Sequence, residues 1–267
     1  MTTEKLNRKG TAKPSVDRDE LLGWCQQTLQ PEQFRDYCPN GLQVQGRRDI
    51  RRIVSGVTAS ARLIEAAAAA GADAIIVHHG WFWRGEDPCL VGIKHARLQA
   101  LMRAQINLIA YHLPLDAHPQ LGNNVQLAAR LGWPVDGRAG EHGLVFHGDL
   151  AQPVSAAALT RSLSRRLGQK PLVVGEHPGL TGAAIRRVAW CTGGAQDAID
   201  VAIELGADLY LSGEISERTT HIAREAGLLY AAAGHHATER YGVQALGAAL
   251  AAEFGIEHQF IDDPNPV

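Results

Sequence analysis

Residues 50–79, IRRIVSGVTASARLIEAAAAAGADAIIVHH, align without a gap with residues 185–214, IRRVAWCTGGAQDAIDVAIELGADLYLSGE. The Ile-Arg-Arg openings and the Gly-Ala-Asp junctions coincide at one offset of 135 residues. Each copy reads as an apolar strand, a helix that stops at glycine, and a second strand. A β-α-β unit demands a parallel strand pair with a right-handed crossover. Two such units make this an α/β chain, and the coincident triplets point to an internal duplication. Each copy then continues into a further apolar strand, INLIAYHLPLD in the first and GLLYAAAGHHATE in the second. Here the offset falls to 123, so the first half carries about twelve extra residues, which we assign to WFWRGEDPCLVGI.

The rest of the chain is arranged around the two copies. Asp19 to Leu29 reads as a first helix, followed by the turn-rich loop PEQFRDYCPNGLQVQG. Residues 133–184 lie between the halves and read as added strands and a helix. The ending GIEHQFIDDPNPV reads as a last strand stopped by prolines. The expected organisation is a loose polar tail over residues 1–18, a first α/β lobe from 19–130 and 235–267, and a second from 131–234. At 267 residues the chain is long enough for a substantial core.

Several function classes are disfavoured. A formal charge of −2 and a pI near 6.6 argue against a nucleic-acid binder. No apolar run is long enough to span a membrane. Cys25, Cys38, Cys89 and Cys191 are scattered without a C-x-x-C pair, which suits reduced thiols in a cytoplasmic protein.

Histidine gathers where the strands end. His78 and His79 close DAIIVHHG, His112 follows the next strand, and His235 follows its counterpart. Strand carboxyl ends of parallel sheets converge on one edge. His112 and His235 each stand four residues before a carboxylate, Asp116 and Glu239. Imidazole with carboxylate suits zinc, iron, manganese or nickel. The donors exceed the needs of one tetrahedral zinc, which argues for two ions roughly 3.5–4 Å apart with a bridging carboxylate. Neighbouring strand residues face opposite ways, so His78 and His79 are expected to reach one ion each. If HHATER opens a helix, His235 and Glu239 share a face, and Glu239 has two oxygens with which to bridge. Pro114 puts His112 and Asp116 on a loop rather than a regular helix. His112 is read either as a ligand or as a group orienting one.

Other residues carry weaker signals. Glu214 and His221 lie in SGEISERTTHIA, beside the site by the repeat alignment, and are candidates for substrate contact or proton transfer. His236 is read as outward-facing or supporting a ligand. His118, His142, His147, His177 and His258 are read as surface residues. CTGGAQ is a strand–Gly-Gly–helix turn, better read as structural than as a phosphate cradle. Trp81 and Trp83 either line the mouth of the site or pack at a subunit contact.

PNGLQV, VHHGWFW, HLPLDAHPQLGNN, SGEISE and AAGHHATERYG resemble the signature blocks of the NIF-three-like dinuclear-metal-centre family, whose members carry the label GTP cyclohydrolase 1 type 2 homolog. The resemblance runs from about Leu21 to FIDDPNPV, in order, and suits the short bacterial type. It implies two interlinked α/β lobes and a toroidal homohexamer with metal sites facing an inner cavity. It implies His78, His79, Asp116, His235 and Glu239 as ligands of two divalent metal ions per subunit, with Glu239 bridging. His112 also matches the family pattern. The function expected is a metal-dependent hydrolase of a nucleotide-like small molecule, with GTP cyclohydrolase-like opening of a purine ring by a metal-bound hydroxide as the named example. Phosphoester or amide cleavage fits the same chemistry. The competing expectation is a non-catalytic hexameric scaffold, metal store, chaperone or regulatory protein.

Overall fold

The computed structural model describes residues 14–175 and 184–267. The first part contains β1 (Val16–Asp17), α1 (Arg18–Leu29), β2 (Gly41–Val44), β3 (Asp49–Ile50), β4 (Arg52–Thr58), α2 (Ala61–Ala69) and β5 (Ala74–His79). It continues with α3 (Gly92–Ala104), β6 (Asn107–Ala110), α4 (Leu113–Ala117) and α5 (Asn123–Leu131). Then come β7 (Gly137–Ala139), β8 (Val145–Val154), α6 (Ala156–Leu167), β9 (Leu172–Val174), β10 (Ile185–Trp190) and α7 (Ile199–Glu204). The chain closes with β11 (Leu209–Ser212), α8 (Glu217–Glu225), β12 (Leu229–Ala232), α9 (His235–Phe254) and β13 (Glu257–Phe260).

The two repeat copies build two sheets of the same plan. One runs β13-β4-β5-β6-β2 and the other β7-β8-β10-β11-β12-β9. In each, the three strands of the duplicated half are parallel, and an antiparallel edge strand follows, β2 on β6 and β9 on β12. The registers repeat as well. Ile53 pairs with Ala74 and Val54 with Ile75; 135 residues later, Val188 pairs with Leu209 and Ala189 with Tyr210.

The coincident triplets have one physical reason. Asp73 Oδ2 accepts hydrogen bonds from the backbone N–H groups of Arg51 and Arg52, at 2.8 and 3.1 Å. Asp208 Oδ2 accepts from Arg186 and Arg187, both at 2.8 Å. In both copies the aspartate that opens the second strand thus ties down the start of the first. Buried N–H groups left without a partner cost about 1–3 kcal/mol. Asp73→Ala is therefore expected to lower stability by about that amount in denaturant unfolding, with metal content unchanged.

Each sheet has its own core. Trp190, Phe146, Leu163, Leu209 and Leu229 cluster on the second sheet, together with Leu127, Ala128 and Leu131 of α5. Ile53, Ile76 and Ile109 of the first sheet pack with Leu21 and Cys25 of α1 and with Val243, Leu246 and Leu250 of α9. Helix α9 is buried around much of its girth, and glycine lets neighbours come close. A Cβ at Gly242 would lie 2.5 Å from Asn123 Oδ1, and one at Gly247 would overlap the His258 ring.

Four local expectations change. Val16 and Asp17 pair with Ile50 and Asp49, and Asp17 caps α1, so ordered chain begins ahead of residue 19; residues 1–13 lie outside the described ones. Asp116 sits on the one-turn helix α4, not a loop, because Pro114 falls in its first turn, where a missing N–H is harmless. His258 is not a free surface residue, since its Nε2 lies 2.8 Å from Oγ of the buried Ser55. The helix of the second repeat is also shorter than read, with a 3-10 turn at Gln196–Ala198 preceding α7.

Candidate metal centre

The carboxyl end of β5, the loop after β6, the turn after β10 and the first turn of α9 meet at one place. His78 is fully buried at the end of β5. Its Nδ1 lies 3.0 Å from the Tyr111 carbonyl oxygen, to which it donates. Its Nε2 faces Asp116 Oδ1 at 3.4 Å and Glu239 Oε1 at 3.5 Å. The next residue approaches the same carboxylate from the other side, with His79 Nε2 3.1 Å from Glu239 Oε2. His235 Nε2 lies 2.9 Å from that same oxygen. The two histidine rings of β5 are 4.7 Å apart between centroids, closer than strand alternation suggests, yet they address different oxygens of Glu239.

The donor atoms form two triads, His78–Asp116–Glu239 and His79–His235–Glu239, each with its atoms within 4.8 Å of one another. Glu239 belongs to both. His112 joins a third such group with His78 and His79.

The imidazoles share an orientation rule. Nδ1 of His79 lies 3.1 Å from Thr58 Oγ1, that of His235 2.6 Å from Glu214 Oε1, and that of His112 2.7 Å from Asp36 Oδ1. With Nδ1 engaged outward in all four, Nε2 is turned toward the shared centre, the pattern of metal-ligating histidine with its supporting partners. Asp116 is fixed in the same way, its Oδ1 accepting from Asn123 Nδ2 at 2.8 Å and Thr192 Oγ1 at 3.3 Å.

The electrostatics are those of a site built for cations. Burial favours a protonated Glu239, but His78 and His79 outweigh it and hold its carboxyl well below the usual range. Burial lowers His78 and His235, but their carboxylate neighbours raise both to about 9. Burying this many ionisable groups is costly unless they pair or bind metal. His78 Nε2 and Glu239 Oε2 are buried and make no aligned hydrogen bond. Such orphaned atoms, in a set of three imidazoles and two carboxylates, fit divalent first-row ions.

Backbone geometry explains the glycines around the cluster. Gly193 has φ +70°, and a Cβ there would overlap Glu239 Oε1. CTGGAQ is therefore a turn that lets α9 approach, with Gly193 N–H donating to Thr238 Oγ1 at 3.0 Å. Gly213 stands in the repeat where His78 stands in the first copy, and a Cβ there would lie 2.6 Å from His235 Cα.

The remaining candidates divide. Glu214 is at the site as the partner of His235, its side chain 36% exposed. His221 is not brought there, being paired at 2.9 Å with Glu217 on the exposed face of α8. His236 is bonded to Asp262 at 2.7 Å. Trp83 packs against His112 and His79, with centroids 5.0 and 6.0 Å away, whereas Trp81 donates to the Ala59 carbonyl. His177 lies outside the described residues.

Asp36 has no counterpart among the sequence candidates. Its side chain is 4% exposed. Burial pushes its carboxyl up, but His112, Asn40 and the Tyr37 N–H bind the charged form and hold it at about 2. Only the turn-rich PNG neighbourhood hinted at a built loop. Asp36→Asn is expected to lower metal affinity roughly 10–100-fold, as loss of an orienting partner does. Competition with a chromophoric chelator measures it.

A model of the family described as Duf34/NIF3 (NGG1p interacting factor 3) matches residues 16–266. The chain is 56% identical over 252 residues to a protein of Allochromatium vinosum named GTP cyclohydrolase 1 type 2 homolog, covering 94% of this chain and 98% of that one. A Pseudomonas aeruginosa protein of the same name is 56% identical over 241 residues, covering 89% and 94%. Among solved structures, one described as protein ybgI aligns with TM-score 0.90 at 49% identity, covering 94% of this chain and all of that one. TTHA1606 of Thermus thermophilus aligns with TM-score 0.85 at 35% identity, covering 94% and 100%.

Proposed function

The chain belongs to the Duf34/NIF3 family, and from that membership and the site we propose that it is a dinuclear metal-dependent hydrolase of a nucleotide-like small molecule. The observation that carries this reading is Glu239, a buried carboxylate whose two oxygens each face a different set of donors. His78, Asp116 and Glu239 would hold one divalent ion; His79, His235 and Glu239 would hold the other. Two such ions, when bound, would supply Lewis-acid activation of water and of an electrophile near neutral pH.

The protein's own groups do the rest. The Tyr111 carbonyl, Thr58, Glu214 and Asp36 fix the imidazole orientations. A cavity of about 140 Å³ opens beside His79 and His235, and Glu214 lines it. Glu214 Oε1 is held by His235 Nδ1 at 2.6 Å, which fixes the carboxylate at the wall of that cavity.

Purified protein loaded with zinc or manganese is expected to hydrolyse GTP or a related phosphorylated purine, and Glu239→Ala to lose that turnover. Equal turnover by both proteins would sink the reading. Silence across a broad hydrolase screen, from protein that retains its metal, would favour a metal store or scaffold. A homohexameric ring is part of the proposal, supported by the exposed apolar side chains of Leu90, Val91 and Ile93. Light scattering that returns a monomer near 28.7 kDa would remove it.

No helix among the described residues is long and apolar enough to cross a membrane.

A further inference from the structure

The cavity beside the metal cluster does not end there. Glu214 and Val267 line it, and both also line a neighbouring cavity of about 350 Å³. Lys170 lines that second cavity and a third, of about 490 Å³, walled by Arg161 and Arg165 of α6. Shared walls thus make the three cavities neighbours, in order from His79 and His235, past Glu214 and Val267, to Lys170, Arg161 and Arg165. Among the described residues, no acidic one lines the third cavity. Among the described side chains of the second, Glu214 is the acidic one, and it is held by His235. Among the described residues no carboxylate pairs with Lys170, Arg161 or Arg165, whereas Arg18, Arg47, Arg48, Arg52, Arg62 and Arg187 are paired.

We propose that Lys170, Arg161 and Arg165 form an anion subsite that holds the phosphate chain of a small phosphorylated substrate, whose reacting end lies at the metal cluster. The assignment deepens the hydrolase reading and rests on it for the orientation of the substrate. Unpaired guanidinium and ammonium groups are the usual partners of phosphate. A cavity of about 350 Å³ at Lys170 is of the size that takes a small molecule. A net charge of −2 favours such a substrate over a nucleic-acid backbone, which calls for a broad basic surface.

The test uses inorganic tripolyphosphate as the probe, titrated calorimetrically into the metal-loaded protein at fixed salt. The variants are Lys170→Glu and Arg165→Glu, singly and together. Both side chains are exposed, so the fold should tolerate the changes, and elemental analysis checks that the metal stays. Each reversal is expected to weaken binding at least about tenfold with metal content unchanged. Equal binding by wild type and the double variant, or no binding to wild type at millimolar probe, would overturn the subsite. So would variant-sensitive binding of single-stranded DNA without binding of tripolyphosphate, which would assign these cations to a nucleic-acid backbone. Variant-sensitive binding of tripolyphosphate in a protein that turns nothing over would uphold the subsite while removing the hydrolase reading.

Discussion

Glu239→Gln is expected to strip both metal ions from the protein, whereas His78→Ala and His79→Ala are each expected to leave about one ion per chain. The asymmetry follows from the geometry. Glu239 is shared by both triads, while His78 belongs with Asp116 and His79 with His235. Glutamine keeps the shape of glutamate but lacks its charge, and it turns an amide N–H₂ toward one of the two sets of imidazoles. The loss should exceed the roughly 10–100-fold that removal of an orienting partner costs. Elemental analysis after dialysis against a weak chelator gives the counts. Equal losses in all three variants would mean a site without the two-sided division. Circular dichroism on the same samples separates metal loss from unfolding, since Glu239 is 2% and His78 0% exposed.

Gly193→Ala is expected to be nearly as damaging, although it touches no donor atom chemically. Two glycines make the comparison clean. Gly71 and Gly193 share almost the same backbone, φ +68° and +70°. Alanine in that conformation costs roughly 1–2 kcal/mol wherever it sits. Around Gly71 nothing lies within 4 Å of an added Cβ. At Gly193 the Cβ would overlap Glu239 Oε1 and come within 3.0 Å of His235 Nε2. These neighbours cannot yield cheaply, because each is held by partners on its other side. Gly71→Ala should therefore lower stability by about 1–2 kcal/mol and keep its metal. Gly193→Ala should lose metal as well as stability. Full metal content in Gly193→Ala would show that the close packing of the CTGG turn on α9 is not part of the site.

The repeat made the fold legible because its triplets do a local job that leaves a fixed spacing. An aspartate at the head of one strand must meet two N–H groups at the head of the other, so Ile-Arg-Arg and Gly-Ala-Asp recur together. The five main donors were legible for a similar reason. Strand ends of parallel sheets converge, and His235 and Glu239 are one helical turn apart.

The residues that were not legible act through distance in sequence. Asp36 lies 76 positions from His112, in a loop that read only as rich in turn residues. Asn123 and Thr192 were not among the candidates, yet they hold Asp116 from the start of α5 and from the turn after β10. His221 was drawn toward the site by its neighbour Glu214, but α8 turns it outward to Glu217. Whether Pro114 breaks a helix or begins one depends on where the helix starts, which the segment alone does not fix.

The division of the site between the two faces of Glu239 is open to direct observation. Anomalous diffraction from crystals loaded with a single first-row metal, recorded at its absorption edge, would locate the ions. Two peaks are expected, one bounded by His78 and Asp116 and one by His79 and His235, with Glu239 between them. A single peak shared by His78 and His79, or peaks remote from Glu239, would contradict it.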